Sequence, residues 1–113
     1  MLTIEEIESA RNLTGDEQAQ AFATISRKLS EDLLYDIREN IPSFDRHYGK
    51  ACWEHPAGLM VYIRKHENEE GECVGFIAEV RGNLIPVTIC QVGFSYLNEE
   101  DTALVLEKVF LEK

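Results

Sequence analysis

The sequence predicts an α+β fold in which helices pack on one face of an antiparallel sheet. Three observations lead to this prediction: two amphipathic helical segments at the start of the chain, three strand-like segments after residue 58, and a helical segment at the end. Short connections between successive strands favour a meandering antiparallel sheet. With 113 residues, of which 44% are apolar, we expect one domain with its own core.

The first two helices are predicted from their start signals and from the spacing of apolar residues. Thr3 followed by Glu6 forms a capping box, in which side chain and backbone satisfy each other's polar groups at the helix start. Thr14 followed by Glu17 is a second capping box, so another helix should begin near Gly15. Its apolar residues recur every three or four positions, as one helix face requires: Phe22, Ile25, Leu29, Leu33 and Ile37.

The second helix is expected to end at residue 41, because the residue before Pro42 avoids helical geometry. Ser30 is followed by two acids and is itself a candidate N-cap, so a break at that point stays open. Residues 42–57 are predicted to form a loop, since prolines, Gly49 and small polar residues are frequent there.

The rest of the chain is predicted to form the sheet and the last helix. Three strand segments follow the loop: residues 59–63, 73–80 and 84–92. Pro86 cannot donate a hydrogen bond to a neighbouring strand, so the third segment should lie at an edge or contain a bulge. Asn98 is the predicted N-cap of the last helix, whose first turn contains three acids.

The charge of the chain excludes several classes of partner. It carries 21 acidic and 11 basic residues, for a net charge of −10. Binding to nucleic acid or to an anionic membrane depends on Lys and Arg, so we expect neither. The three widely spaced cysteines do not suggest a disulfide framework, and the first residues do not resemble a signal peptide. We therefore expect a cytoplasmic protein with reduced thiols.

Acidic residues concentrate in two places that are candidates for binding a basic partner. One is the predicted turn between the first two strands, and the other is a row on the second helix. The residues are Glu67, Glu69, Glu70 and Glu72 in the turn, and Asp32, Asp36 and Glu39 in the row. Solvated helix faces and turns are often acidic without binding anything, so position and exposure must decide between the two interpretations.

A second candidate site lies in the predicted loop. His47, Cys52 and His55 place two imidazoles and a thiol within nine residues, which suggests a zinc site or a nucleophilic cysteine with a histidine base. A fourth ligand would come from Cys73, Cys90 or His66. The spacing matches no standard zinc pattern, and the alternative is a packed loop.

The sequence contains no motif that fixes a reaction or a cofactor, so the leading prediction is a non-enzymatic protein. We expect a small acidic inhibitor, immunity protein or adaptor that docks on a basic protein partner. If that partner is a nucleic-acid enzyme, an inhibitor encoded by a phage or mobile element is the leading subclass. The alternative is a metal-binding or thiol-reactive protein that uses the loop, and monomer and homodimer both stay open.

Overall fold

The structure is a computed structural model that describes residues 1–39, 45–47, 50–82, 88–94 and 97–110. Its elements are, in chain order, α1 (Ile4–Arg11), α2 (Gly15–Glu39), β1 (Asp45–His47), β2 (Lys50–His55), β3 (Leu59–Glu67), β4 (Cys73–Gly82), β5 (Thr88–Gly93) and α3 (Glu99–Lys108). The strands form one antiparallel sheet in which each strand pairs with the next along the chain. The predicted α+β class, with helices against an antiparallel sheet, is confirmed.

The starts of α1 and α3 follow from capping residues of the sequence. The Thr3 hydroxyl oxygen accepts a hydrogen bond from the Glu6 backbone N–H at 3.3 Å, which is one of the two bonds of a capping box. The Asn98 side-chain oxygen accepts from the Asp101 N–H at 2.8 Å. Because these bonds satisfy N–H groups that lack a helical partner, they fix where α1 and α3 begin.

The second helix runs without a break through Ser30, the position at which a new helix start was an open alternative. The Ser30 hydroxyl donates to the Ser26 carbonyl at 2.8 Å, four residues earlier. A serine that donates back along its own helix satisfies its hydroxyl without ending the helix. The result is one helix of 25 residues, which contacts β5 through Ser26 and β2 through Asp36.

The sheet is larger than predicted, because two of its strands lie in the segment 42–57 that was predicted to be a loop. β2 pairs with β3 over six residue pairs, from Lys50 opposite Arg64 to His55 opposite Leu59. Its side chains alternate between buried and more exposed positions, with Ala51 and Trp53 buried. This period of two is the sign of a half-buried strand, and flanking turn formers obscured it in the sequence.

β5 is the last strand of the sheet and forms one of its edges, next to β4. An edge position was one of the two alternatives predicted for this strand from Pro86, the other being a bulge. Pro86 itself lies outside the described residues, and so does the rest of the segment 83–87.

One face of the sheet packs against the helices and forms the core. Cross-strand pairing aligns buried side chains in rows, such as Trp53, Val61, Val80 and Cys90. The apolar stripe of α2 covers this face, as its spacing predicts, and Phe110 stacks on Phe76 with ring centroids 5.7 Å apart. Burying each large apolar side chain contributes about 1.5–3 kcal/mol, so this face dominates the stability of the fold.

The opposite face of the sheet carries polar and partly exposed side chains. Glu79 lies 3.5 Å from the Lys50 ammonium and 3.3 Å from the Arg81 guanidinium, and Arg81 lies over the Tyr62 ring. Partial burial opposes ionisation of Glu79, but the two cations outweigh it and lower the pKa of this carboxyl.

None of the helices in the described ranges combines the length and apolar character needed to cross a bilayer.

Candidate docking surface

Two of the three acids in the predicted row on α2 make hydrogen bonds with other parts of the fold. Asp36 is buried, and its Oδ2 accepts a hydrogen bond from the Trp53 indole Nε1–H at 2.8 Å. Asp32 accepts from the Leu2 backbone N–H at 2.9 Å and lies 2.7 Å from His55 Nε2. Glu39 alone is fully exposed. These aspartates therefore connect α2 to the sheet and to the first residues, and they do not form an exposed row with Glu39.

The buried imidazole of His55 makes a hydrogen bond with each of its ring nitrogens. Nδ1 accepts the backbone N–H of Ala57 at 3.0 Å, so the ring proton must be on Nε2, which donates to Asp32. The ring also meets Trp53 edge to face, with centroids 5.2 Å apart. With both nitrogens engaged and no exposed surface on its side chain, His55 cannot bind a metal or accept a proton from a thiol.

The predicted cluster of His47, Cys52 and His55 is not brought together by the fold. Cys52 and His55 are three residues apart on one strand, so their side chains point to opposite faces of the sheet. His47 lies in β1 opposite Lys50, and its side chain lies outside the described part of the structure. Across the described residues there is no group of three or more His, Cys, Asp or Glu placed to hold a metal ion.

The fourth-ligand candidates are likewise dispersed. Cys90 is buried on the core face, while His66 is exposed near the end of β3. The thiol of Cys73 lies 3.3 Å from the Gly75 carbonyl, to which it donates. Burial, opposed only in part by the charge of Arg11, raises the pKa of the Cys90 thiol to about 11, so this thiol is a packing group.

The four glutamates between β3 and β4 lie on a turn that Asn68 holds in shape. We call residues 67–72 the acidic turn. The Asn68 side-chain oxygen accepts from the backbone N–H groups of Glu70 at 3.0 Å and Glu72 at 2.9 Å. Its backbone N–H donates to the Glu72 carbonyl at 2.9 Å, and Gly71 adopts φ +82°, which favours glycine. The acidic turn is therefore a defined structure in which every glutamate is exposed.

An exposed apolar groove lies directly beside the acidic turn. Val74, the second residue of β4, is 58% exposed. The groove runs between the start of β4 and the first turns of α3. It is lined by Cys73, Val74, Leu97, Asn98, Glu99, Thr102, Ala103 and Leu106.

The first turn of α3 brings more negative charge to the same region. Glu99 lines the groove, and Glu100 is exposed next to it. Asp101 is instead paired with Arg38 of α2 at 3.0 Å. In the described part of the chain, the ion pairs do not involve the glutamates of the acidic turn, Glu99 or Glu100. We call the acidic turn, the groove and the exposed start of α3 the docking surface.

The sequence indicated the acidic turn but not the groove beside it. β3 and β4 are out of register between His66 and Glu67, a bulge that is invisible in the amino-acid pattern. Val74 lies next to this bulge and is exposed, whereas Phe76, Ala78 and Val80, which lie two, four and six residues further along β4, are buried.

Comparison of the chain with protein-family models, with curated proteins and with solved structures finds no match. The candidate function therefore rests on the geometry and charge of the docking surface.

Proposed function

We propose that this protein is a non-enzymatic binding protein that docks on the basic surface of a protein partner. The observation that supports the proposal is the acidic turn, in which Asn68 binds the backbone of Glu70 and Glu72 and all four glutamates are exposed near the exposed side chain of Val74. Inhibitors, immunity proteins and small adaptors work by contacts of this kind. The proposal includes a cytoplasmic location, with which three cysteines outside any disulfide agree.

Charge gives this surface its selectivity for a basic partner. Exposed carboxylates that lack a cationic neighbour attract Lys and Arg over about one Debye length, which is about 8 Å at physiological ionic strength. Complementary charge accelerates encounter and disfavours partners of the same sign. The net charge of −10 extends this preference to the whole molecule and argues against direct binding to phosphate backbones.

Shape and apolar contact supply what charge alone does not. Exposed ion pairs contribute only about 0–1 kcal/mol each, so a stable complex also needs apolar burial. The groove along Val74 and Leu106 offers that contact within the same surface. Because the hydrogen bonds of Asn68 already order the turn, less conformational entropy is lost on binding.

A pair of charge-matched variants tests the proposal. In one, the four glutamates of the acidic turn become glutamine (E67Q, E69Q, E70Q, E72Q). In the other, four exposed helical glutamates are changed in the same way (E5Q, E8Q, E17Q, E31Q). Both quartets change the net charge from −10 to −6, because each removes four carboxylates. They differ only in where the charge is lost.

Immobilised wild-type protein is expected to capture a partner from a lysate of the source cells and to release it at high ionic strength. The helical quartet should capture the same protein, whereas the turn quartet should not. The captured protein, purified, should bind with the same ranking of variants in calorimetry. Equal loss of binding in both quartets, or capture that resists salt, would contradict docking through the acidic turn.

A further inference from the structure

A second concave feature lies on the exposed face of the sheet, where two glycines face solvent on neighbouring strands. Gly75 of β4 and Gly93 of β5 leave a depression of about 500 Å³. Its lining includes Phe76 and Val92, which belong to the core. It is also lined by Val74, Ile77, His66 and Gln91. A concave site that is mostly apolar, with a few polar groups at its rim, is the usual form of a binding pocket.

The depression belongs to the same region as the docking surface, because they share Val74. His66 in its lining directly precedes Glu67, and Val74 follows Glu72 by two residues. The acidic turn therefore begins next to the His66 side of the depression. Arg64, which pairs with Ile77 across β3 and β4, lies towards the other end. Near Ile77 the charges are those of Arg64 and of Glu79 with its two cationic partners, Lys50 and Arg81, which leaves that end net positive, whereas the turn end is negative.

We propose that this depression receives an apolar side chain, such as an aromatic ring, from a partner segment whose neighbouring Lys or Arg residues contact the acidic turn. The inference rests on the proposed function and specifies the partner chemistry for that surface. Aromatic side chains combine a large contact area with little loss of entropy, and they act as anchors when they fill a pocket. The asymmetry sets the orientation, since a cation of the partner is attracted to Glu67 and Glu72 and repelled by Arg64.

A substitution that fills the depression tests the contribution of the apolar anchor to binding without changing the charge of the surface. Within the described part of the chain, a Cβ atom built on Gly75 meets no atom within 4 Å, and its backbone is not in the left-handed region that would strain another residue. Gly75→Leu is therefore expected to fold normally and to occupy the site with its own side chain. Gly75→Ala leaves most of the space open and is the matched control at the same position.

Three capped peptides serve as probes, because they present the two features separately and together. The sequences are Trp-Lys-Lys, Gly-Lys-Lys and Trp-Gly-Gly, each acetylated and amidated. Titration into ¹⁵N-labelled protein would follow backbone amide shifts. We expect Trp-Lys-Lys to bind about tenfold more tightly than Gly-Lys-Lys. It should shift the amides of Gly75, Ile77 and Gly93 together with those of the acidic turn.

The variants should then show separately how much the tryptophan and the lysines contribute to the affinity. Gly75→Leu is expected to lower the affinity for Trp-Lys-Lys to that for Gly-Lys-Lys, while Gly75→Ala retains most of the difference. The turn quartet should weaken both lysine peptides. If tryptophan adds nothing to binding, or if Gly75→Leu has no effect, the anchor site is wrong while lysine binding to the turn still supports docking. If neither lysine peptide binds the turn, both proposals fail.

Discussion

At the scale of single residues, a hydrogen bond in the core joins α2 to the sheet. Trp53 is fully buried, yet its indole N–H donates to Asp36, which is buried as well. A hydrogen bond to a charged acceptor in such a place contributes about 1.5–3 kcal/mol, and a removed donor leaves the acceptor less satisfied. This contact also explains why an acid is tolerated on the inward side of α2.

Trp53→Phe is expected to lower the free energy of unfolding by about 2–4 kcal/mol, because it removes both the indole donor and part of the buried volume. Urea denaturation followed by circular dichroism would measure the change. Tyr35→Phe is the control, since it removes a polar group from an aromatic side chain that is 67% exposed. That control should change stability by less than about 0.5 kcal/mol. Equal effects of the two substitutions would show that the Asp36 contact contributes little.

At the scale of the element, the acidic turn depends on one side chain. Asn68→Ala removes the acceptor of two backbone N–H groups without changing any charge. The exposed groups can bond to water instead, so the expected loss of stability is only about 1 kcal/mol. Hydrogen exchange at the Glu70 and Glu72 amides should accelerate, while exchange at Ala78 in the middle of β4 stays unchanged. Unchanged exchange at Glu70 and Glu72 would mean that the turn does not need Asn68.

The helices could be predicted from the sequence because their signals are local. Thr3 and Asn98 act as caps through residues three positions away, and the apolar stripe of α2 is a repeat within one segment. β2 was missed for the opposite reason. Its six residues include two polar residues and a histidine, and only pairing with β3 reveals which side of the strand is buried.

The acids of α2 show the same difference between local and tertiary information. Asp36 follows Leu29 by seven residues and Leu33 by three, so it lies on the apolar side of the helix. That spacing indicated that Asp36 is buried. The donor that satisfies its carboxylate there, Trp53, lies on another element. The acidic turn could be predicted from the sequence as an exposed feature. The depression at Gly75 and Gly93 could not, because it forms only where β4 pairs with β5.

At the scale of the whole molecule, one buried thiol makes stability depend on pH in the alkaline range. Burial raises the pKa of Cys90 from 9.0 to about 11, while the unfolded chain keeps the ordinary value. Between these values the unfolded chain loses a proton that the folded protein retains. Stability from the neutral thiol is therefore fully present below pH 9 and is lost as pH rises towards 11.

Wild type is expected to lose roughly 1–3 kcal/mol more than Cys90→Ala over this range, because the variant has no thiol to ionise. Lysines and tyrosines also titrate there, but they are common to both proteins and cancel in the comparison. Chemical denaturation of the two proteins at a series of pH values would measure the difference. A constant difference in free energy of unfolding across the range would show that Cys90 ionises equally in both states.

The buried position of Trp53 has a practical consequence for all such measurements. It is the only tryptophan in the chain, and it is enclosed by Asp36 and the edge of His55. Its fluorescence therefore reports on a single place in the core, and its emission should move to longer wavelength when water reaches the ring. The docking surface lies elsewhere in the chain, at the acidic turn, the start of β4 and the start of α3. Light emitted by the native protein can thus follow unfolding without an added dye, and it can show whether a charge variant still has an intact core.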